Sequence, residues 1–121
     1  MISKGVKSIF PIKNQEIWDR YKQHIQAFWT TEEVSLQDDL RDLETLNEGE
    51  KHFIKHVLAY FANSEAMINE NLASRFYKEI LIPEARCFIS MQMLNESIHA
   101  EMYGLQIEAY VKDKNEKDLL F

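Results

Sequence analysis

The chain has 121 residues, 45% of them apolar and 28% charged, which suffices for one small globular domain and not for two. A net charge of −6 with no basic cluster argues against nucleic acid as a partner, since binding it needs a positive surface that displaces counterions. The single Cys87 excludes an intrachain disulfide framework and a cysteine zinc site.

In chain order, residues 1–13 read as an irregular arm, with Pro11 near its end. No apolar run approaches the ~20 residues that cross a bilayer, and Met1 to Phe10 lacks the apolar centre of a signal peptide. No membrane partner is therefore expected, and a cytoplasmic or nuclear location is the default. A first helix is predicted from Asn14 to Phe28, with Ile17, Trp18, Tyr21, Ile25 and Phe28 on its apolar side. Ser35 then caps a short helix, Leu36 to Leu46, whose first turn carries Asp38 and Asp39 where the helix dipole favours negative charge.

Asn47 and Glu50 have the spacing of a capping box and open a long helix that runs to Leu81. Pro83 and the residue before it break the pattern. A second long helix spans Pro83 to Val111, with Cys87 in its apolar run as a buried, inert thiol, and a further helix begins at Asn115. Strand signals are nearly absent. The expected architecture is all-α, with two long antiparallel helices as the spine of part of a bundle.

Polar residues interrupt the apolar faces of both long helices. On the first, Ile54, Val57, Leu58, Phe61, Ile68 and Leu72 form a stripe in which Glu65 takes a place the period reserves for an apolar side chain. A buried, unpaired carboxylate is costly, so Glu65 either reaches solvent or an arginine such as Arg75 or Arg86, or has another partner. On the second helix Ile89, Met93, Glu96, Ala100, Tyr103 and Ile107 share a face, with His99 beside it.

Taken singly, His99 reads as a hydrogen-bonded boundary histidine and Tyr103 as a core tyrosine. Taken together, two adjacent helices bring acidic groups into apolar faces, and Glu96-Ser97-Ile98-His99 adds an imidazole at i+3. One divalent metal would offset all of those desolvation costs. Mixed carboxylate and imidazole donors suit Fe or Mn, and Glu-x-x-His paired with single Glu residues is the donor pattern of ferritin-like di-iron bundles. A redox-active metal there would stand beside the phenol of Tyr103, one turn beyond His99.

These residues sit in longer matching text. Phe10-Pro11-Ile12, Ile17-Trp18, Phe28-Trp29-Thr30, His52-Phe53-Ile54, His56-Val57-Leu58-Ala59, Asn69-Glu70-Asn71-Leu72, Glu84-Ala85-Arg86-Cys87-Phe88 and Ile98-His99 with Glu101-Met102-Tyr103 extend over nearly the whole chain from Ser8 onward. The chain resembles the amino-terminal part of the radical-generating small subunit of class I ribonucleotide reductase, of the eukaryotic and large-DNA-virus type. The resemblance implies a ferritin-like fold covering residues 14–121. It implies Glu65, Glu96 and His99 as metal ligands, Tyr103 as the radical tyrosine and Trp29 as an electron relay to the metal site. It further implies a di-iron cofactor, with Mn as the other candidate, a homodimer, and a large catalytic subunit as the partner that reduces ribonucleotides.

Two departures from the family pattern stand out. The usual ligand at position 65 is Asp, and the extra methylene of Glu65 moves the carboxylate by about 1.5 Å, which eases bridging or bidentate binding. Glu65, Glu96 and His99 also make up three of the six ligands the family uses, so the 121 residues are expected to form a half-site that is inactive alone. Apolar faces left without partners are expected to drive self-association, and a compact stable monomer in sedimentation would count against that. Two rival readings remain: another ferritin-like di-iron oxidase, suggested by Glu65, and a non-catalytic helical partner subunit.

Overall fold

The computed structural model describes residues 8–121; the part of the expected arm at residues 1–7 lies outside them. The described residues contain helices, turns and no strand, and none of the helices is long and apolar enough to cross a membrane. In order they are α1 (Gln15–Gln26), a 3₁₀ turn (Thr31–Glu33), α2 (Gln37–Glu44), α3 (Glu48–Asn71), a π turn (Leu72–Phe76), α4 (Tyr77–Glu79), α5 (Pro83–Tyr110) and α6 (Lys114–Leu120). The chain has the ferritin-like helical architecture expected from its sequence.

α5 is the central helix. Along one side Asn69 meets Ser97, Glu65 meets His99 and Phe61 meets Tyr103, so α3 runs antiparallel to it. Along another side Lys13 bonds Glu84, His24 lies against Asn95, Thr31 bonds Glu101 and Asp39 bonds Tyr110. Those partners are 71, 71, 70 and 71 residues apart, a nearly constant offset. The segment from Lys13 to Asp39 therefore tracks α5 in the same direction, partly as helix and partly as turns.

Leu58, Ala59, Ile107 and Val111 form the buried core between α3 and α5. Tyr103, Tyr110 and Leu120 of α6 close around it. Each large aliphatic side chain buried there contributes about 1.5–3 kcal/mol. α6 is further tied back by Lys55 Nζ to Glu116 Oε1 at 2.8 Å.

The caps explain most boundaries. Asn47 Oδ1 accepts from Glu50 N at 2.9 Å and Glu50 Oε1 accepts from Asn47 N at 3.1 Å, completing the expected capping box. Pro83 occupies the first turn of α5, where its missing N–H costs nothing. Asp113 caps α6 through Asn115 N at 2.9 Å. Ser35 is a correction: Leu36 holds the N-cap position of α2, and the Ser35 hydroxyl makes only a 3.4 Å contact to Gln37 N. The first helix is also shorter than expected, and Ile25 and Phe28 at its end are exposed.

The largest correction concerns the first long helix. It does not continue regularly to Leu81 but widens into the π turn after Asn71. Leu72 is buried, the residues three and four later (Arg75, Phe76) face solvent, and Tyr77 at i+5 turns inward again. The guanidinium of Arg86 lies 4.1 Å from the centre of the Tyr77 ring. One extra residue in the turn carries Tyr77 to that cation, a gain that a 3.6-residue period cannot anticipate.

Glu84 is the least expected buried group, at 2% exposure in the first turn of α5. Its carboxylate accepts from Lys13 N at 2.9 Å, Asn14 N at 3.3 Å and Asn14 Nδ2 at 3.2 Å, so Asn14 spends its side chain on Glu84 and not on capping α1. The Lys13 backbone N–H, then its own backbone N–H and the Asn14 side chain, hold its pKa down from 4.5 to about 2 against the opposing effect of burial. A carboxyl depressed on folding stabilises the fold above its unfolded pKa and loses that contribution as pH falls through the folded value. Melting temperature should therefore drop between pH 4.5 and 2. Circular dichroism melts of Glu84→Gln should show a shallower drop over the same range, and an unaltered slope would reject the clamp.

Phe53, Tyr60 and Met67 repeat every seven residues along α3 and are 68%, 69% and 64% exposed. They form an uncovered apolar stripe of the kind that marks a contact surface.

Candidate metal centre

Glu65 on α3 faces Glu96 and His99 on α5, and one donor atom from each lies within 4.8 Å of the other two. His99 Nδ1 is 3.7 Å from Glu65 Oε1 and 3.5 Å from Glu96 Oε2. The two carboxylates are largely buried and the imidazole is half-exposed, so the trio is shielded on its α3–α5 side and open on another. Neither Arg75 nor Arg86 serves Glu65: Arg75 is exposed beyond the helix end, and Arg86 is engaged with Tyr77.

Among the described residues Glu65 Oε2 is shielded from solvent and has no hydrogen-bond partner. An ionised oxygen in that state is expensive, and a bound cation is the partner that would relieve it. Two carboxylates and an imidazole form a donor set suited to Fe or Mn, so the residues fit the metal their pattern implies.

Local structure holds the trio from both sides. One turn from Glu65 on α3, Asn69 Nδ2 donates to Ser97 Oγ at 3.0 Å, and the Ser97 hydroxyl donates to Met93 O at 3.0 Å, pinning α3 to α5. One turn the other way, the Phe61 and Tyr103 rings stack with centroids 5.6 Å apart and an interplanar angle of 23°. Tyr103 is half-buried, on the turn of α5 that follows His99.

Trp29 reaches the site from a different segment. Its ring lies 6.1 Å from that of His99, tilted by 30°. The following turn is fixed by Thr31, a buried hydroxyl that donates to Glu101 Oε1 at 2.6 Å, and by Glu33 Oε2, which accepts from Thr30 N at 2.6 Å. Thr31, Glu101, Asn69 and Ser97 did not stand out in the sequence as supports. The legible signal for the turn was Thr30-x-x-Glu33, the spacing of a capping box.

Cys87 departs from expectation. It is half-buried and lines a groove of about 610 Å³ with Tyr21, Tyr77, Arg86, Met91 and Leu94, so it is not sealed in a core.

With the geometry described, comparison with known proteins is informative. The family model described as "Ribonucleotide reductase, small chain" matches residues 6–121. The ribonucleoside-diphosphate reductase small chain of swinepox virus (strain Kasza) is 54% identical over 113 residues, covering 93% of this chain and 41% of the viral protein. That of monkeypox virus is 55% identical over 113 residues, covering 93% of this chain and 35% of the relative. The chain thus spans less than half the length of these curated relatives. Among solved structures, the ribonucleotide reductase Rnr4 homodimer from Saccharomyces cerevisiae superposes with a TM-score of 0.81 at 35% identity, over 88% of this chain and 34% of that one. The matched span, the viral relatives and the shared fold together make this chain a member of the ribonucleotide reductase small-chain family.

Proposed function

We propose that this chain is part of a ribonucleoside-diphosphate reductase small subunit, whose assembled form uses a di-iron centre to generate a tyrosyl radical for ribonucleotide reduction. The observation that carries the reading is the orphaned, buried Glu65 Oε2 facing Glu96 and His99. Glu65, Glu96 and His99 would hold the metal, Fe in the first place and Mn as the other candidate. When bound, that centre would activate O₂, the oxidant that takes an electron from a nearby phenol. Tyr103 is the phenol that gives up the electron together with its hydroxyl proton, and its stack on Phe61 keeps water from one face of the ring. Trp29, against the His99 ring, is the relay for the electron that the centre requires.

Ferritin-like di-iron sites use two single Glu and two Glu-x-x-His pairs, so three of six ligands lie in this chain. We assign residues 1–13 to an arm and 14–121 to part of the ferritin-like domain. A homodimer, a large catalytic subunit as partner and a cytoplasmic location complete the reading. The Glu at position 65 favours a second reading, a different ferritin-like di-iron oxidase.

Anaerobic Fe(II) loading followed by O₂, read by electron paramagnetic resonance and iron count, tests both. For the longest form of the protein a tyrosyl signal is expected, and it should vanish in Tyr103→Phe. Iron uptake without that signal would move the assignment to the oxidase. No iron uptake would sink both readings. The 121-residue chain alone should bind little iron and give no signal unless two chains complete the site.

A further inference from the structure

We propose that His52 and His56 on α3 form a second, mononuclear metal site, taking a borderline divalent cation such as Ni²⁺ or Zn²⁺. Residues at i and i+4 project from the same helical face, and these two imidazoles lie with ring centroids 3.9 Å apart at an angle of 34°. Two nitrogens bound to one tetrahedral ion at about 2.0–2.1 Å stand about 3.4 Å apart, a separation that two side chains one helical turn apart reach when the rings rotate out of their stack to meet the ion edge-on. Both rings are exposed, and a cation can reach them without any rearrangement of the core.

The hydrogen bonding favours ligation. His56 Nδ1 lies 2.8 Å from the carbonyl oxygen of His52. A carbonyl only accepts, so Nδ1 carries the proton and Nε2 holds the lone pair that a metal needs. A backbone carbonyl on the far nitrogen is also the usual device that orients a metal-bound imidazole. The flanking lysines do not oppose a cation strongly. Lys55 Nζ is 2.8 Å from Glu116 and Lys51 Nζ is 3.7 Å from Glu48, so each positive charge has a carboxylate beside it.

The site is distinct in place and in chemistry from the carboxylate-rich trio. His56 and Glu65 are nine positions apart on one helix, about 13.5 Å along its axis. Oxygen-rich donors suit Fe and Mn, whereas paired imidazoles suit Ni, Cu and Zn. Among the described residues no third His, Cys or carboxylate joins the pair, so water completes the coordination.

The test is calorimetric titration of the intact chain with Ni²⁺ alone, in a Glu96→Ala background that disables the trio. One binding event should remain, and adding His52→Gln or His56→Gln should weaken it by at least about 10-fold, the lower limit seen when only a partner of a ligand is lost. Parent chain and His52→Gln are compared separately for the rise in melting temperature that Ni²⁺ causes, which should shrink in the variant. Absence of any event in the Glu96→Ala background, or an event indifferent to both Gln changes, would overturn the proposal.

Discussion

Replacing Glu65 with Leu should stabilise the metal-free chain while destroying the metal affinity of the longest form of the protein. Glu65 Oε2 is buried without a partner among the described residues, and relieving one unsatisfied polar group of this kind gains about 1–3 kcal/mol. Leu matches the volume of Glu closely enough to sit in the stripe between Phe61 and Ile68 without forcing the helices apart. His99 keeps Glu96 at 3.5 Å and is not left alone. Metal affinity of the longest form of the protein should meanwhile fall by more than the roughly 10–100-fold caused by losing a residue that merely hydrogen-bonds to a ligand. Thermal melts in chelator give the first number and metal titration the second. A lower melting temperature for the metal-free variant would mean that Glu65 has a structural partner, and the trio would lose its best argument.

Ile107→Ala should be the most damaging single truncation in the core. Ile107 is 3% exposed and lies with Leu58, Ala59 and Val111 where α3, α5 and α6 converge. Deleting a buried Ile side chain to Ala costs about 2–5 kcal/mol, against the ~5–15 kcal/mol of a typical domain. Tyr103 packs against the same cluster, so its orientation should loosen as well. Phe53→Ala is the contrast: at 68% exposure on the uncovered stripe it should change stability by no more than about 0.5 kcal/mol. Urea midpoints for the two variants, with unchanged slopes, would check the difference.

The two long helices, the Asn47 capping box and the Pro83 break were legible because periodicity and caps are local properties of sequence. Glu65, Glu96 and His99 were legible for a related reason. Glu65 and Glu96 are polar residues at positions whose period calls for apolar ones, His99 adjoins that face at i+3 from Glu96, and the structure brings all three together. What escaped depends on tertiary contact. The π turn is unreadable from a regular period because its reason is Arg86, on another helix, lying over Tyr77. Glu84 is by sequence one acidic residue just after a helix-opening proline, and only the approach of Lys13 and Asn14 makes it a buried anchor. Thr31 and Glu101 likewise acquire meaning only when the turn after Trp29 meets α5.

The constant offset of about 71 residues between the amino-terminal segment and α5 also orders events in time. On a ribosome adding ~5–20 residues per second, Lys13 waits on the order of 4–14 s before Glu84 even exists. His24, Thr31 and Asp39 wait equally long for Asn95, Glu101 and Tyr110. The piece of chain made first is therefore among the last to dock, and Trp29 joins His99 only after the helix carrying both halves of Glu-x-x-His has emerged. Contacts of such long range slow the search for the native arrangement. A nascent chain stalled before α5 would hold Trp29 with no His99 ring to rest against.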